Sequence, residues 1–377
     1  MTDPLDTYLS ALMRAEVCPA GEDWPAELVV ERIRFHGIAA ALAENGFAAG
    51  QLPPAVAAKV LEEARTQAFW EESHRAMLAN LLGALAGHGV QALVMKGSAL
   101  AYSLYDRPHL RRRGDTDLLI HERDLEQARL QFERLGFVRR RDPQGLVYQQ
   151  SWLLDTGIGF VHAVDLHWRP NDSPVLQEVL RADEFFALAQ PLPRLAPPAM
   201  APHKVHTFLQ GICNQAWHAH HGYLVDGENV TAPERLVWAL DNHLLATAFT
   251  EDDWTLLADL AQPRAVAPLV LTALRKAQVH HGTHLPEAIV SRLAEGPPQT
   301  DVMRRLFEQD QVAAAMQDLR ALEGIGAKLQ YVRRHALPKG DYLRGKYPDS
   351  KGWPLALLHL RRWSEIALRL RGKGSAQ

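Results

Sequence analysis

Between residues 86 and 170 the hydrophobic pattern changes from helical spacing to short apolar runs, and this change constrains the fold more than any other feature of the sequence. Four segments in this part of the chain read as strands: VQALVMKG, DTDLLI, LVYQQSWLL and GFVHAVDLHW. Between the first three lie SALAYSLYD and RDLEQARLQFERLG, which carry apolar residues at helical spacing, the second closed by Gly136. This alternation predicts a compact unit built on a small mixed β-sheet.

The segments on either side of this unit are predicted to be helical. Residues 4–85 and 203–335 carry apolar residues at helical spacing, and a Pro-rich stretch near 190–202 indicates a linker. LALLHLRRWSEIALRLR predicts a basic amphipathic helix, whose apolar face either packs on the helical region or lies on a membrane surface. We therefore expect an α+β fold with four regions: a helical region at 1–85, an α/β domain at 86–190, a helical domain at 191–335 and the basic helix region at 336–377.

Composition excludes several classes of protein. Apolar residues make up 47% and charged residues 23% of the chain, as in ordinary globular proteins, so wholesale disorder is excluded. The net charge of -3 argues against a dedicated nucleic-acid coat, although a local basic patch stays open. Cys18 and Cys213 are too few for a disulfide framework or a zinc site built mainly from thiolates. The N-terminus lacks a secretory signal and no apolar stretch reaches about 18 residues, so we expect no transmembrane segment and a cytoplasmic location.

The run Asp115-Thr116-Asp117-Leu118-Leu119-Ile120 places two carboxylates at alternate positions of a predicted strand. Alternate residues of a strand project from the same face, so the two negative charges converge. Such a pair is costly unless a cation neutralises it, and a divalent cation bound by carboxylate oxygens is the usual solution. The alternative is a turn at Gly114 and Asp115 with solvated acids.

A second candidate feature is the turn Met95-Lys96-Gly97-Ser98, between a predicted strand and a predicted helix. Gly97 permits close approach of a phosphate, and the first N–H groups of the helix favour an anion. The pattern GxxxxGK[ST] of a Walker A loop is absent. A plain strand-to-helix turn is the alternative.

Four arginines precede the acidic strand: Arg107, Arg111, Arg112 and Arg113. A guanidinium group binds phosphate in a bidentate geometry, which suits a site for a phosphorylated ligand. We expect one of the four to serve this role. The others are expected to form a solvated basic loop that balances the acids.

Asp165 lies in the strand VHAVDLHW, where it shares a face with Ala163 and His167. A buried acid in a strand needs a partner. If this strand lies beside the strand of Asp115 and Asp117, Asp165 becomes a third carboxylate, as a two-metal site requires. The alternative is a local pair with Arg169 or His162.

Two further sets of residues stay open. His218, His220 and His221 suggest a metal site, but no HExxH supplies a third ligand and a base, so the imidazoles are equally explained by local hydrogen bonds or by an acceptor cleft. Asp241 lies inside an apolar helix. It either orients a base or an acceptor, or it forms a structural cap or ion pair.

Taken together, KGSALAYSLYDRPHLRRRGDTDLLI and the later VDLHW resemble the polymerase-β-like nucleotidyltransferase superfamily. More closely, they resemble the uncharacterised bacterial nucleotidyltransferase family with the pattern KGxALAxxLY…R…DxDLLI…LHW. The resemblance implies roles for six residues: phosphate binding by Gly97 and Ser98, metal binding and catalysis by Asp115, Asp117 and Asp165, and nucleotide binding by Arg111. Lys96 also matches the pattern, as a further residue on the nucleotide side whose role the resemblance does not define.

The resemblance implies an enzyme that uses Mg²⁺, or Mn²⁺, and an NTP. It would move an NMP to a hydroxyl of an unidentified small molecule, peptide or protein and release pyrophosphate. Residues 86–190 would then be the nucleotidyltransferase domain and 191–335 the acceptor-side domain. Thr116 departs from the aliphatic residue of the pattern, but it is β-branched and suits a strand, so we expect the site to be intact. The alternatives are a nucleotide-binding regulatory module without turnover and a toxin-like enzyme that modifies tRNA or protein.

Overall fold

The structure, a computed structural model, describes the following parts of the chain: residues 3–16, 24–45, 50–140, 148–221, 223–225, 228–230, 234–296, 303, 311–338, 340, 343–344, 347–350 and 352–373.

Within these residues a sheet of seven strands forms the centre of the fold. Its strands are β1 (Ala92–Val94), β2 (Asp115–Ile120), β3 (Val138–Arg139), β4 (Gln149–Asp155), β5 (Val161–His167), β6 (Gln190–Pro191) and β7 (Met200–Ala201). They are arranged in the order β3-β4-β5-β2-β1-β7-β6. β2 runs parallel to β5 and β1 parallel to β7, whereas the other neighbouring strands are antiparallel. The predicted α+β class is confirmed.

Helices precede, interrupt and follow this sheet. The helices before and within it are α1 (Pro4–Met13), α2 (Ala26–His36), α3 (Ala39–Glu44), α4 (Pro54–Gly87), α5 (Lys96–Ser103), α6 (Leu125–Arg134), α7 (Pro174–Val179) and α8 (Ala182–Ala187). Those after it are α9 (Lys204–His221), α10 (Leu236–Ala248), α11 (Glu251–Ala261), α12 (Ala267–His281), α13 (Glu287–Ala294), α14 (Gln311–Ala321), α15 (Ile325–Ala336) and α16 (Leu355–Lys373). A hairpin of β8 (Tyr223–Val225) and β9 (Glu228–Val230) follows α9, and 3₁₀ turns lie at Pro108–Leu110, Glu122–Asp124 and Pro348–Ser350.

The sheet is covered on both faces, and alternate side chains of its central strands belong to two different hydrophobic cores. Leu118 and Ile120 of β2 pack with α4 and α6. Leu119, between them, belongs to the core that also contains residues of α9 to α12. The period of two in a strand sorts these side chains between the faces. Asp115 and Asp117 therefore belong to the same face as Leu119, and Thr116 to the face covered by α4.

The Pro-rich stretch near 190–202 is part of the sheet, so the prediction of a linker there was wrong. Met200 of β7 is the register partner of Leu93 in β1, and the N–H of Leu192 donates to the carbonyl of Ala199 at 2.8 Å. Pro191 is tolerated because β6 is an edge strand. The boundaries of the four predicted regions stay predictions.

The predicted C-terminal helix is present as α16. Leu358 is buried with Leu343 and Tyr347, whereas Leu360 and Trp363 are 55% and 42% exposed. The indole N–H of Trp363 donates to the carbonyl of Ala336 at 2.8 Å. In the described part of the chain, no helix combines the length and apolar character needed to cross a membrane.

Candidate functional site

The parallel register of β2 and β5 brings the acidic residues together. Asp117 is the register partner of Asp165, and Asp115 is the partner of Ala163. Because Asp115 and Asp117 occupy alternate positions of β2, both project from the same face of the sheet as Asp165. The three carboxylates therefore converge at one place, beside the turn that joins β1 to α5.

Asp117 is the most strongly held of the three acids. Its Oδ1 accepts hydrogen bonds from Lys96 Nζ at 2.6 Å and from His167 Nε2 at 2.9 Å. Burial alone would raise the pKa of Asp117, but the charge of Lys96 and the bond from His167 lower it well below the usual range. These two contacts therefore favour the ionised form of Asp117.

Asp165 is partly buried and is oriented by Gln149 of the neighbouring strand. The amide Nε2 of Gln149 donates to Asp165 Oδ2 at 2.6 Å. Burial and the charge of Asp117 raise the pKa of Asp165. The alternative of a local pair is wrong, because Arg169 pairs with Glu122 and His162 lies on the opposite face of the sheet.

Asp115 stands at the open end of the group and is exposed to solvent. Protein atoms crowded against its carboxylate, together with the charges of Asp117 and Asp165, raise the pKa of Asp115 to about 7. Lys96 is the cation that opposes this shift most strongly. Three carboxylates thus share one lysine, and a divalent cation would relieve their remaining repulsion.

His167 belongs to this candidate site, although the sequence analysis assigned it no role. Asp117, Asp165 and His167 each offer one ligand atom, and these three atoms lie within 4.8 Å of one another. In the described part of the chain, this is the cluster of acidic residues, histidines or cysteines whose geometry could hold a metal ion. His167 Nδ1 is buried and has no hydrogen-bond partner among those residues. The signal was present in the sequence, because His167 follows Asp165 by two positions and so shares its face of the strand.

The turn between β1 and α5 has an unusual backbone. Lys96 has φ +51°, in the left-handed region that residues other than glycine rarely adopt. Such a conformation persists only when the surroundings enforce it, and the bond from Lys96 Nζ to Asp117 provides such a restraint. The next residue, Gly97, has no side chain, and the hydroxyl of Ser98 lies 2.7 Å from the hydroxyl of Thr116.

Arg111 lies directly against this turn. Its guanidinium carbon is 3.5 Å from the point that a Cβ atom on Gly97 would occupy. Arg111 Nε donates to both carboxylate oxygens of Asp241, at 2.8 and 3.0 Å, and the hydroxyl of Tyr105 donates to the same carboxylate at 2.7 Å. Of the two roles left open for Asp241, the structure shows the ion pair, which fixes the guanidinium beside Gly97.

The other arginines of the loop point toward the N-terminal helices. Arg107 pairs with Glu44, Arg112 with Glu63 and Arg113 with Glu71. The Arg113 side chain is only 4% exposed, so the expectation of a solvated loop was wrong for this residue. The equally buried Glu71 compensates the charge of this guanidinium.

The histidines near the end of α9 are only partly within the described residues. His218 is half-buried, and the side chains of His220 and His221 lie outside the described residues. Upstream in the chain, His203 and His206 approach Asp253 and Glu184. No described member of this histidine set belongs to a group able to hold a metal ion.

The sequence matches a known protein family. The profile of a family described as uncharacterised nucleotidyltransferases matches residues 21–282, which include the Gly97 turn and both strands that carry the acids. No curated protein and no solved structure matches the chain significantly. Because the match covers more than half of the sequence, the chain belongs to this family of nucleotidyltransferases.

Proposed function

We propose that this protein is a Mg²⁺-dependent nucleotidyltransferase of the polymerase-β-like type. It moves an NMP from an NTP to a hydroxyl of a small molecule, peptide or protein and releases pyrophosphate. The observation that carries the proposal is the register that sets Asp117 beside Asp165, next to the Lys96–Ser98 turn. Family membership supports the reaction class, and the site geometry supports its details.

The donor set fits a hard divalent cation. Asp115, Asp117 and Asp165 supply carboxylate oxygens, which suit Mg²⁺ and Mn²⁺ better than softer metals. His167 Nδ1 is buried and meets no hydrogen-bond partner in the described parts of the chain, and the pKa of Asp115 is raised, so both groups support a site whose charge and polarity a cation would balance. When bound, the cation neutralises the carboxylates and the phosphate oxygens and supports attack at the α-phosphorus.

The turn and Arg111 are suited to the phosphates of the nucleotide. The first N–H groups of α5 carry the partial positive charge of a helix start, and Gly97 adds no side chain that would keep a phosphate away. Arg111, fixed by Asp241, contributes a full positive charge at the same place. In this proposal Lys96 exchanges its bond with Asp117 for one with a phosphate oxygen.

Asp165 is suited to receive the proton of the acceptor hydroxyl. Its raised pKa brings its basicity closer to that required of a general base than that of an ordinary aspartate. Gln149 fixes the orientation of the carboxylate by holding Oδ2. Asp117, with a strongly lowered pKa, is by contrast suited to remain ionised throughout.

The first experiment is a binding screen. ATP, CTP, GTP and UTP are added with and without Mg²⁺, and the melting temperature is recorded, because a ligand that binds the folded state raises it. We expect at least one nucleotide to stabilise the protein only with Mg²⁺. Asp117→Asn should abolish this effect, whereas Asp183→Asn, which alters an exposed carboxylate of α8, should not change it.

The second experiment identifies the reaction. The preferred NTP is labelled on the α-phosphate or the γ-phosphate and incubated with the protein and a cell extract. Nucleotidyl transfer labels an acceptor from the α-position only. Asp165→Asn should keep Mg²⁺-NTP binding but lower this labelling by at least about a hundredfold.

Three outcomes would contradict the proposed reaction, and a fourth would contradict the role of Asp165. Binding without transfer of label would favour a regulatory module, and label confined to tRNA would favour the toxin-like alternative. Transfer from the γ-position would indicate a kinase. Wild-type labelling by Asp165→Asn would remove this residue from the reaction.

A further inference from the structure

A chain of buried hydrogen bonds leads away from Ser98 through the sheet. Ser98 Oγ lies 2.7 Å from Thr116 Oγ1, which lies 2.7 Å from His74 Nε2. His74 Nδ1 lies 3.2 Å from His162 Nδ1, and His162 Nε2 lies 2.8 Å from Ser73 Oγ. Ser98, Thr116, His74 and His162 are each at most 2% exposed, whereas Ser73 is partly exposed. The turn that contains Gly97 and Ser98 is thus connected to α4 by hydrogen bonds.

The protons of this chain can be counted because both histidines are neutral. Burial lowers the pKa of His74 and of His162, and for His74 the nearby Arg113 lowers it further. A neutral imidazole carries one N–H and one acceptor nitrogen. The two Nδ1 atoms face each other, so one of them must donate and the other accept. The two histidines therefore hold opposite tautomers.

Two arrangements satisfy this condition with the same number of protons. In the inward arrangement, Ser98 donates to Thr116, Thr116 donates to His74 Nε2, and His74 Nδ1–H donates to His162. In the outward arrangement every bond is reversed: His162 donates to His74, His74 to Thr116, and Thr116 to Ser98. Only in the outward arrangement is the hydroxyl proton of Ser98 available to a ligand.

The inward arrangement is the better one for the free protein. The hydroxyl protons of the buried Ser98 and Thr116 both have acceptors at 2.7 Å, and that of Ser73, which accepts from His162, is on a partly exposed side chain that solvent can reach. In the outward arrangement the proton of Ser98 has only the carbonyl of Asp115, at 3.5 Å, as an acceptor among the described residues. A bond of that length is weak, and a buried donor without a good acceptor is costly.

We propose that His74 and Thr116 are positioning residues that hold the Ser98 hydroxyl turned away from the nucleotide, so that nucleotide binding must reverse the whole chain. The inference rests on the proposed function, because it takes a phosphate oxygen as the ligand of Ser98. A phosphate oxygen accepts the Ser98 proton in the outward arrangement and repels the hydroxyl oxygen in the inward one. Thr116 thereby lowers the affinity for the nucleotide.

The test compares Thr116→Val with Thr116→Ser. Valine removes the acceptor that competes for the Ser98 proton, whereas serine retains it. Because the reversal forfeits about one ordinary hydrogen bond, Thr116→Val should bind the Mg²⁺ complex of the preferred NTP roughly threefold to tenfold more tightly than Thr116→Ser and the wild type. A purely structural Thr116 would give equal or weaker binding. In a Ser98→Ala background the difference between valine and serine at 116 should vanish.

A second measurement needs no variant. Histidine ¹⁵N NMR of the free full-length protein should show His74 protonated on Nδ1 and His162 on Nε2. Addition of the Mg²⁺ complex of ATP, CTP, GTP or UTP that binds should exchange these tautomers. The same tautomer on both histidines, Nε2–H on His74 in the free protein, or nucleotide binding that leaves the tautomers unchanged would overturn the inference.

Failure of the proposed function gives a different result. In that case none of the four Mg²⁺-NTP complexes binds the wild type or any variant, and no tautomer changes. The inference about the nucleotide then falls with the function. If instead the wild type binds an NTP and Thr116→Val binds it no more tightly than Thr116→Ser, the function stands and the inference alone is wrong.

Discussion

Replacement of Asp241 by alanine should destabilise the protein strongly, because it leaves the Arg111 guanidinium buried without its counter-charge. The two side chains are 11% and 4% exposed, and Arg111 Nε contacts both carboxylate oxygens. Tyr105 also loses the acceptor of its hydroxyl. The perturbation therefore removes one charge partner and one hydrogen-bond acceptor at once.

The size of the effect follows from this geometry. Two unit charges about 4 Å apart attract by about 4 kcal/mol at an effective dielectric constant of about 20. Removal of one member of a buried pair costs roughly 3–5 kcal/mol, since the remaining charge stays desolvated. An exposed pair costs far less, about 0–1 kcal/mol. Asp259, which pairs with Arg292 and is 53% exposed, provides the matched control.

Urea unfolding measures these free energies. We expect Asp241→Ala to lose several times more stability than Asp259→Ala. The triple variant Arg111→Leu, Asp241→Leu, Tyr105→Phe should recover most of the loss, because no buried polar group is left alone. It should nevertheless bind Mg²⁺-NTP poorly, since the guanidinium beside Gly97 is gone. A loss for Asp241→Ala no larger than that of the control would refute the reasoning.

Three further predictions concern single residues. Gly97→Ala should keep most of the NTP affinity because its Cβ only touches Arg111 at 3.5 Å, whereas the branched side chain of Gly97→Val should displace the guanidinium and lower the affinity at least tenfold by calorimetry. Lys96→Met should bind Mg²⁺ alone more tightly and Mg²⁺-NTP more weakly, since Lys96 competes with the metal for Asp117; unchanged calorimetric titrations would contradict this. Burial and the charges of His243 and His280 lower the pKa of His281 to about 3. Below pH 6.5 the unfolded chain therefore binds a proton at His281 that the folded protein does not bind. Stability should fall from pH 6.5 to 4.5, less steeply in His281→Gln; equal slopes would refute the assignment.

The sequence predicted the elements that carry a strong local pattern. The runs of β2 and β5 are long enough for alternation to show, and the helix before Gly136 ends where glycine permits φ +85°. β3, β6 and β7 have two residues each, which is too short for any periodicity. These short strands form because they pair with neighbouring strands, which the local sequence does not reveal. The prolines near 190–202 were the strongest local pattern there, and they led to the wrong prediction of a linker.

In the site, too, the contacts that a local strand pattern indicates could be predicted, and those that depend on how helices pack on the sheet could not. Asp115, Asp117 and Asp165 could be grouped because their strands are adjacent and alternation fixes their face. The partners of Arg111 and Thr116 could not be predicted, since Asp241 lies 130 positions from Arg111 and His74 lies 42 positions from Thr116. No residue pattern encodes such contacts; they follow from how α4 and α10 pack on the sheet.

Lys96 connects the backbone of the turn to the electrostatics of the acids. A left-handed conformation at a residue other than glycine costs free energy, and the ion pair with Asp117 offsets that cost. Under the proposed function, this restraint would weaken once a divalent cation neutralised Asp117. Lys96 would then be free to bind a phosphate oxygen near Arg111 and the start of α5. The positive charge that stabilises the acids without metal would thus become available to the nucleotide once metal is bound, so the order of binding would depend on the conformation of this turn.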